Sequence, residues 1–358
     1  MNRAYLGDFI DPKRNNFTLL RLLAALAVVI DHAIFLRSGV KSDEIFAGSS
    51  VYTLGDHAVN VFFVLSGLTV AASLERSRDT LEFLIARALR IFPALVICTA
   101  LLVLLGIIVS ECRPDHYFAD TRVAKYFLKT VSLSSGAAEL PGVFATNPHP
   151  FVVNASLWTL KFEASCYLLL ASIGMLGLLK KRSMRRLLPA TWCLAGAFLL
   201  DRHGGQVSAF EQLARFWICF SFGVGLFVFR DRIKICLIIA ASIGLLEWLV
   251  LGTALERAVA PIATGYAAVW LGSLPLSRLR QFSNGNDLSY GVYIFGWPIS
   301  QTLEFAFPQI GVSSLIGFSI VIALFMATLS WHLVEKPSLA LRGLCALYIR
   351  RQAITIRS

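Results

Sequence analysis

Residues 21–32 read RLLAALAVVIDH, an apolar run with ionisable side chains at both ends. Arg21 and His32 are eleven residues apart, which is about three helical turns and roughly 16 Å along a helix axis. At this spacing the two side chains share one helix face, whereas Asp31 points about 100° away from His32. Ionisable groups are costly within hydrocarbon and are associated with function there. The stretch therefore predicts a membrane helix that carries a polar site.

The composition of the 358-residue chain is that of a membrane protein. Hydrophobic residues make up 56% and charged residues 15%, against about 25% charged residues in soluble domains. A transmembrane helix needs about 20 mainly apolar residues. Ten such segments are predicted, over residues 17–36, 55–74, 86–110, 156–179, 187–200, 211–229, 233–251, 256–274, 288–308 and 312–334. The fifth is short, and Pro298 interrupts the ninth. We expect an all-α, polytopic integral membrane bundle of about ten transmembrane helices.

The distribution of Lys and Arg predicts the orientation of this bundle. With both termini inside, 22 of the 33 Lys and Arg residues fall in cytoplasmic loops and tails, and eight fall in outer loops. Because cytoplasmic loops are enriched in Lys and Arg, we expect an N-in, C-in, multi-pass protein of the inner (plasma) membrane. The net charge of +11 then faces anionic lipid and cytoplasm. Nucleic-acid binding is not expected, because the charges are scattered among helix ends.

The chain is predicted to form one membrane domain, residues 1–358, without a long linker or an internal repeat. Its largest loop, residues 111–155, is expected outside and contains a helical stretch, RVAKYFLKTV (122–131), suited to the lipid surface. The short cytoplasmic tail, residues 337–358, includes a candidate interfacial helix. The six histidines show no metal-ligand spacing, so no metal site is expected. The oligomeric state is left open.

Five further segments place polar residues next to apolar runs. They read VNVFFVLSGL (59–68), RALRIFP (87–93), WTLKFEASCY (158–167), LSYGVYIFGWP (288–298) and SWHLVEKP (330–337). With Arg21 and His32 they resemble, in order and over nearly the whole chain, the acyltransferase 3 family of membrane O-acyltransferases. The resemblance implies about ten membrane helices. It also implies transfer of an acyl group, usually acetyl from acetyl-CoA, to sugars of envelope or secreted molecules.

Three positions depart from the family's pattern. Thr18, three residues before the motif arginine, and Asn60, before the Phe pair, stand where family members often have Asp. In the ninth helix Gly296 stands where the family often has the His of a His-x-Pro motif. The Arg-to-His motif itself is intact.

The resemblance implies an acyl-CoA donor, and the predicted cytoplasmic helix ends offer cations for its phosphates. Arg87 and Arg90 are three residues apart and share one helix face. With Arg21 they form a hypothetical phosphate clamp, because a guanidinium group binds anions through several donors. The alternative for Arg87 and Arg90 is a positive-inside anchor. Tyr290 and Tyr293 share the same spacing and are assigned to the lining of the donor cavity.

Ser66 is also assigned to the donor site, but not as a nucleophile. Its surroundings lack the G-x-S-x-G elbow of hydrolases, and close helix packing is the favoured explanation of the Ser-Gly pair. Trp158 and Trp297 are expected to anchor the membrane interface. Asp56 and His57 are expected in a solvated polar cap at the outer mouth, with contact to the acceptor as the alternative.

Arg21, His32 and Glu163 are the predicted catalytic residues. Imidazole is a base near neutral pH, so His32 could deprotonate a sugar hydroxyl or carry the acyl group itself, and the sequence leaves both routes open. Glu163 is expected about two turns inside the fourth helix, where it orients the imidazole or carries the proton. The alternative is a helix contact through Lys161 or a tyrosine. Glu335 is expected to fix the end of the last helix.

The predicted function is therefore O-acyl transfer from acyl-CoA to a hydroxyl of a saccharide or glycolipid. The competing class is a membrane transporter or flippase that uses Arg21, His32 and Glu163 as a polar path, and the missing internal repeat argues against it. An inactive scaffold of the family is a third interpretation, which the retention of Arg21 and His32 disfavours. The sequence specifies neither the acceptor nor the acyl length.

Overall fold

The computed structural model of the chain describes residues 5–134, 139–200, 208–276 and 285–355. The regular secondary structure of these residues is helical, and they contain no β-strand. They divide into two compact units, each assembled from separated stretches of sequence. The first unit comprises Met1–Asp31, Ser42–Arg76 and Ser165–Asp287. The second comprises His32–Lys41, Ser77–Ala164 and Leu288–Ser358.

The described residues form fourteen α-helices. These are α1 (Phe17–Ser38), α2 (Leu54–Arg76), α3 (Thr80–Val109), α4 (Pro114–Ala119), α5 (Thr121–Val131), α6 (Leu160–Met175), α7 (Lys181–Leu200), α8 (Ala209–Val228), α9 (Leu237–Val250), α10 (Glu256–Gly272), α11 (Ser289–Ala306), α12 (Val312–Ser330), α13 (Lys336–Ala340) and α14 (Arg342–Thr355). Each of the ten predicted segments overlaps with one of these helices. The stretch predicted to be helical within the long loop is confirmed as α5.

Five helical stretches are long and apolar enough to cross a membrane, namely Phe17–Ser38, Leu54–Arg76, Thr80–Val109, Ala209–Val228 and Val312–Ala340. They support the prediction of a membrane protein, whereas ten crossings and the N-in, C-in orientation stay predictions. Five of the basic residues behind the orientation prediction lie outside the described residues, namely Arg3, Arg202, Arg278, Arg280 and Arg357.

Four helices begin at least four residues away from the predicted position, namely α3, α6, α7 and α9. α3 starts at Thr80 because the Asp79 carboxylate caps it and accepts a hydrogen bond from the Glu82 backbone N–H at 2.8 Å. α6 starts only at Leu160, after a 3₁₀ turn over Ala155–Thr159. Hydrophobicity alone does not register these ends, because polar caps and turns define them.

Pro298 does not interrupt the ninth predicted segment, because α11 continues through it. A proline lacks the N–H that would bond to the carbonyl four residues earlier, here that of Ile294. The side-chain amide of Asn154 supplies the missing donor, at 2.8 Å from the Ile294 oxygen. A neighbouring segment that satisfies the freed carbonyl is the usual condition for proline within a membrane helix.

Small residues let α2 and α8 of the first unit approach at backbone distance. A Cβ added to Gly67 would lie 2.0 Å from the Phe220 carbonyl oxygen, and one added to Gly223 would lie 2.1 Å from the Val64 carbonyl oxygen. Neither position has room for a side chain. Close packing therefore explains the Ser-Gly pair of the FFVLSG segment, as the sequence favoured.

In the second unit α11 packs against α3 and α12. Near its start, the Tyr290 hydroxyl donates to the Ile91 carbonyl of α3 at 2.9 Å. Gln301, further along α11, accepts a hydrogen bond from Asn147 of the long loop at 2.7 Å. α11 therefore runs from the arginine-bearing part of α3 to the long loop.

Candidate functional site

α1 is helical throughout, so Arg21, Asp31 and His32 lie on one helix as predicted, but their surroundings differ. Asp31 is 1% exposed, and its carboxylate accepts backbone N–H groups of Ile45 at 3.2 Å and Gly55 at 2.9 Å. Because these residues lead into α2, the carboxylate fixes the entry of the chain into that helix. Asp31 is a structural group of the first unit.

Arg21 pairs with Asp287, a residue that the sequence patterns did not point to. The Arg21 Nη1 lies 3.0 Å from the Asp287 Oδ2, and the two side chains are 21% and 20% exposed. The buried Nε of Arg21 has no hydrogen-bond partner among the described residues. The carboxylate partner thus comes from a residue far along the chain and not from the position of Thr18. The position of Asp287 directly before LSYGVYIFGWP was the feature of the sequence that could have pointed to this partner.

His32 belongs to a group of four rings in the second unit, His32, Phe35, His149 and Trp297, which we call the aromatic cluster. The His32 ring meets the Trp297 ring edge-on, with centroids 4.9 Å apart. Trp297 is 2% exposed, and its Nε1 donates to the Val152 carbonyl at 3.0 Å. The prediction that Trp297 anchors the membrane interface is therefore wrong, because its N–H bonds to the protein and its ring is buried.

Arg90 is held between a carboxylate and two rings. Its Nη1 lies 2.9 Å from the Glu335 Oε2, and the two side chains are 11% and 1% exposed. The guanidinium carbon lies 5.6 Å from the centroid of Tyr290 and 5.8 Å from that of Trp331. A buried arginine needs such a paired environment. Arg87, one turn earlier on the same face, is half-buried.

A π-helical turn over Trp331–Glu335 explains how Glu335 reaches its partners. In an α-helix, residues five apart point about 140° away from each other, whereas a π turn places residue i beneath residue i+5. The Ser330 hydroxyl can therefore donate to the Glu335 Oε1 at 2.9 Å. Glu335 is bonded through both oxygens and fixes the end of the last membrane-type helix, as expected.

The two predicted cavity tyrosines are buried, and their hydroxyls are engaged. Tyr290 bonds to the Ile91 carbonyl, and the Tyr293 hydroxyl lies 2.7 Å from the Thr159 Oγ1. Glu163 lies in the first turn of α6 and not two turns inside it, and it interacts electrostatically with Tyr290. An electrostatic interaction with a tyrosine fits the alternative to a catalytic role, and both roles of Glu163 stay predictions.

Ser66 is engaged within the first unit. Its Oγ lies 3.2 Å from the Tyr167 hydroxyl, and the pair is buried. Arg21 belongs to the same unit, whereas His32, Arg87 and Arg90 belong to the other. The described contacts therefore assign Ser66 to the packing of α2 and α6.

The prediction of a solvated polar cap is wrong for Asp56. Its Oδ1 lies 2.7 Å from the Nη1 of Arg215, whose side chain is 4% exposed. Arg215 also donates Nε to the Asn60 Oδ1 at 2.9 Å and stacks on Tyr52 at 4.2 Å. Burial raises the pKa of Tyr52 to about 12, so its hydroxyl stays protonated. His57 bonds through Nδ1 to the Thr264 hydroxyl at 2.8 Å.

The described residues contain no group of three or more His, Cys, Asp or Glu side chains that could hold a metal ion. The polar side chains of interest form two groups instead. We call them the arginine end, with Arg90, and the histidine end, with His32 and His149. Both lie in the second unit, and α11 connects them. Such an arrangement suits a long anionic molecule bound at one end and a proton transfer at the other.

Comparison with known proteins gives a consistent result. A family model described as an acyltransferase domain matches residues 14–334. The chain is 30% identical to nodulation protein 10 of Rhizobium leguminosarum bv. viciae, over 92% of this chain and 94% of that relative. It is 28% identical to an O-acetyl transferase of Shigella phage Sf6, over 90% and 96% of the two chains. No solved structure matches.

Proposed function

Since the chain belongs to the acyltransferase domain family and is an acyltransferase, we propose that it moves an acetyl group from acetyl-CoA to a hydroxyl of a saccharide or glycolipid at the inner membrane. The phage relative is named an O-acetyl transferase and aligns over 90% of the chain. Its name supports acetyl as the transferred group and an oxygen atom of the acceptor as the atom that receives it. The observation that carries the proposal is the contact of His32 with Trp297, in the same unit as Arg90.

The donor is proposed to bind along α11 of the second unit. Arg90 stacks on Tyr290, and Trp297 follows seven residues later, which is about 10 Å along the helix. Phosphates held at Arg87 and Arg90 would let an extended arm carry the thioester towards His32. Tyr290 and Tyr293 then line the donor cavity without hydrogen-bonding the donor, because their hydroxyls already bond to protein groups.

Arg21 and Ser66 keep their predicted roles in donor binding as proposals for the first unit. One nitrogen of Arg21 is held by Asp287, and its Nε meets no acceptor among the described residues. A buried donor of this kind is suited to an anion. Ser66 contributes less directly, through the packing that its pair with Tyr167 stabilises.

His32 is proposed to move the proton or the acyl group. In the direct route the imidazole takes the hydroxyl proton, the acceptor oxygen attacks the thioester carbonyl carbon, and the C–S bond breaks. The leaving thiolate then takes the proton from the imidazolium, which restores His32. In the covalent route the imidazole attacks the carbonyl carbon first, the C–S bond breaks, and the leaving thiolate takes the proton that the acylated ring loses. The acceptor oxygen then attacks the acyl carbon, the C–N bond breaks, and the hydroxyl proton passes to the imidazole. Glu163 is proposed to orient the imidazole or to carry the proton.

The test compares envelope and secreted glycans by mass spectrometry. A deletion strain is complemented with wild type, with His32→Ala, or with His116→Ala, whose histidine is exposed in α4 and serves as a matched control. An alkali-labile acetyl mass should be restored by wild type and by His116→Ala, but not by His32→Ala, at equal amounts in the membrane. Full restoration by His32→Ala would refute the mechanism. An unchanged set of acyl esters in all strains would favour the transporter interpretation.

A further inference from the structure

The aromatic cluster contains a second histidine, which the proposed chemistry does not use. His149 comes from the long loop, within the sequence NPHPF. Its ring centroid lies 4.7 Å from that of Phe35 and 5.7 Å from that of Trp297. The same Trp297 ring also contacts the His32 ring, with the centroids 4.9 Å apart. His149 is therefore one ring away from the predicted catalytic base.

A buried polar network fixes the loop segment that carries His149. Asn147 donates to the Gln301 side-chain oxygen at 2.7 Å, and Gln301 in turn donates to the His149 backbone carbonyl at 2.8 Å. Gln301 and Asn147 are 0% and 7% exposed. Because buried polar groups are costly unless all are bonded, this network specifies one position of the loop against α11.

Further anchors flank the network on the same helix. The Trp297 Nε1 donates to the Val152 carbonyl, and Asn154 bonds to the carbonyl that Pro298 frees. Phe151 has a φ of 64°, a left-handed conformation that a bulky residue adopts only when its surroundings enforce it. The segment from 147 to 154 is thus held by its backbone, while the His149 ring projects into the aromatic cluster.

Phe35 and His149 are half-buried, and both contact the buried Trp297 ring. These two half-buried rings offer the groups that a sugar ring needs. Aromatic faces match the C–H faces of a pyranose, and a few polar atoms among apolar walls fix the orientation of a ligand. Burial lowers the pKa of His149, so its imidazole is neutral at pH 7. It therefore has one nitrogen that donates and one that accepts a hydrogen bond. No described residue bonds to either nitrogen.

We propose that the half-buried Phe35 and His149 form the acceptor subsite, with the buried Trp297 ring as its support. The sugar ring stacks on Phe35, and His149 hydrogen-bonds its hydroxyls. The acylated hydroxyl is thereby presented to His32. This inference rests on the proposed function and deepens it. It implies that the acceptor contains a sugar ring. It also implies that the long loop recognises the acceptor and that the arginine end does not.

The test uses the purified full-length protein, acetyl-CoA and the envelope glycan fraction of the deletion strain as acceptor probe. The variants are His149→Phe, which keeps a packed ring but no hydrogen bond, His149→Gln, and His116→Phe as the same change at an exposed histidine. Coenzyme A release is measured against the concentrations of both substrates. Thermal melting of each variant reports folding.

His149→Phe should raise the KM for the glycan fraction at least tenfold, with the KM for acetyl-CoA unchanged. His149→Gln should lie between it and wild type, and His116→Phe should match wild type. A wild-type KM in His149→Phe, or a loss confined to kcat, would overturn the acceptor subsite while the proposed function stands. Absence of glycan-dependent coenzyme A release by wild type would instead overturn the proposed function and this inference with it.

Discussion

Asp31 and His32 are neighbours in the sequence, yet they belong to different units of the molecule. Asp31 is buried and bonded to two backbone N–H groups, whereas His32 is half-buried and lies against the Trp297 ring. Backbone N–H groups fix the carboxylate, whereas the imidazole contacts aromatic side chains in a cluster that includes a further ionisable ring, His149. The surroundings of an ionisable residue in an apolar helix, and not its position alone, therefore indicate whether its role is structural or functional.

The largest expected effect is that of a substitution at His32, the residue of the two that is assigned to function. His32→Gln should lower acyl transfer by about 10³-fold, because it removes a general base or an acyl acceptor, and should leave the melting temperature near that of wild type. Coenzyme A release and thermal melting of the purified protein check both statements. An equal loss of stability would show that His32 is as structural as Asp31.

Arg215→Met tests an ion pair of the first unit whose arginine is buried. The change leaves Asp56 and Asn60 without their guanidinium partner, and breaking such a pair costs about 3 kcal/mol or more. We expect a lower melting temperature and less protein in the membrane, with the activity per folded molecule retained. Chemical denaturation monitored by tryptophan fluorescence measures the change. A fully stable but inactive variant would show that the role of Arg215 is functional and not structural.

Asp31→Asn should have a smaller effect of the same kind. The N–H groups of Ile45 and Gly55 bond to different oxygens of the carboxylate, and the amide keeps only one acceptor oxygen, so one of these N–H groups loses its partner and faces the NH2 group instead. A cost of about 1–2 kcal/mol in the free energy of unfolding is expected, with the KM values for both substrates unchanged. A raised KM with an unchanged free energy of unfolding would contradict the structural assignment.

Arg90→Gln should raise the KM for acetyl-CoA about tenfold, which is about 1.4 kcal/mol of binding free energy. The proposed reason is the loss of one cation from the phosphate end of the donor site. A truncated acetyl thioester without the nucleotide phosphates should be used equally well by the variant and by wild type. Steady-state kinetics with both donors provide the check, and an equal defect with both would point to a structural role for the pair with Glu335.

The smallest expected effect is a pH dependence from His149. Burial lowers its pKa, so the folded protein binds the proton more weakly than the unfolded chain does. Its contribution to stability is present above the ordinary histidine pKa of about 6.5 and is lost as the pH falls through the lowered folded value. Melting temperatures at pH 7 and pH 5 should differ more for wild type than for His149→Phe. Equal differences would contradict this account.

The sequence predicted the helices well because their signal is local and repetitive. Every apolar segment became a helix, and α5 was found from its own pattern. The ends of α3 and α6 were misplaced because a cap and a 3₁₀ turn determine them. The continuity of α11 through Pro298 was missed because it depends on a donor, Asn154, from another segment.

The candidate site could be predicted only in part, for a related reason. Arg21 and His32 are marked by their spacing on one helix. Their neighbours Asp287, Trp297 and His149 come from distant segments, and no period in the sequence connects them. The chemistry of a single helix face can be read from the sequence, whereas the contacts that decide between structure and function come from tertiary packing.

The π turn at Trp331–Glu335 has a consequence for how this protein can vary. It holds one residue more than an α-helix would place between Ser330 and Lys336, and that extra residue aligns Glu335 with both Ser330 and Arg90. Leu333 is 72% exposed, so many substitutions there should be neutral. Loss of its codon would place the glutamate four residues after Ser330, a spacing at which an α-helix brings two side chains to within about 40° of each other. At this point of the gene a deletion of three nucleotides removes the π turn and largely keeps the following residues on their faces, whereas the same deletion elsewhere in the helix would turn them by about 100°.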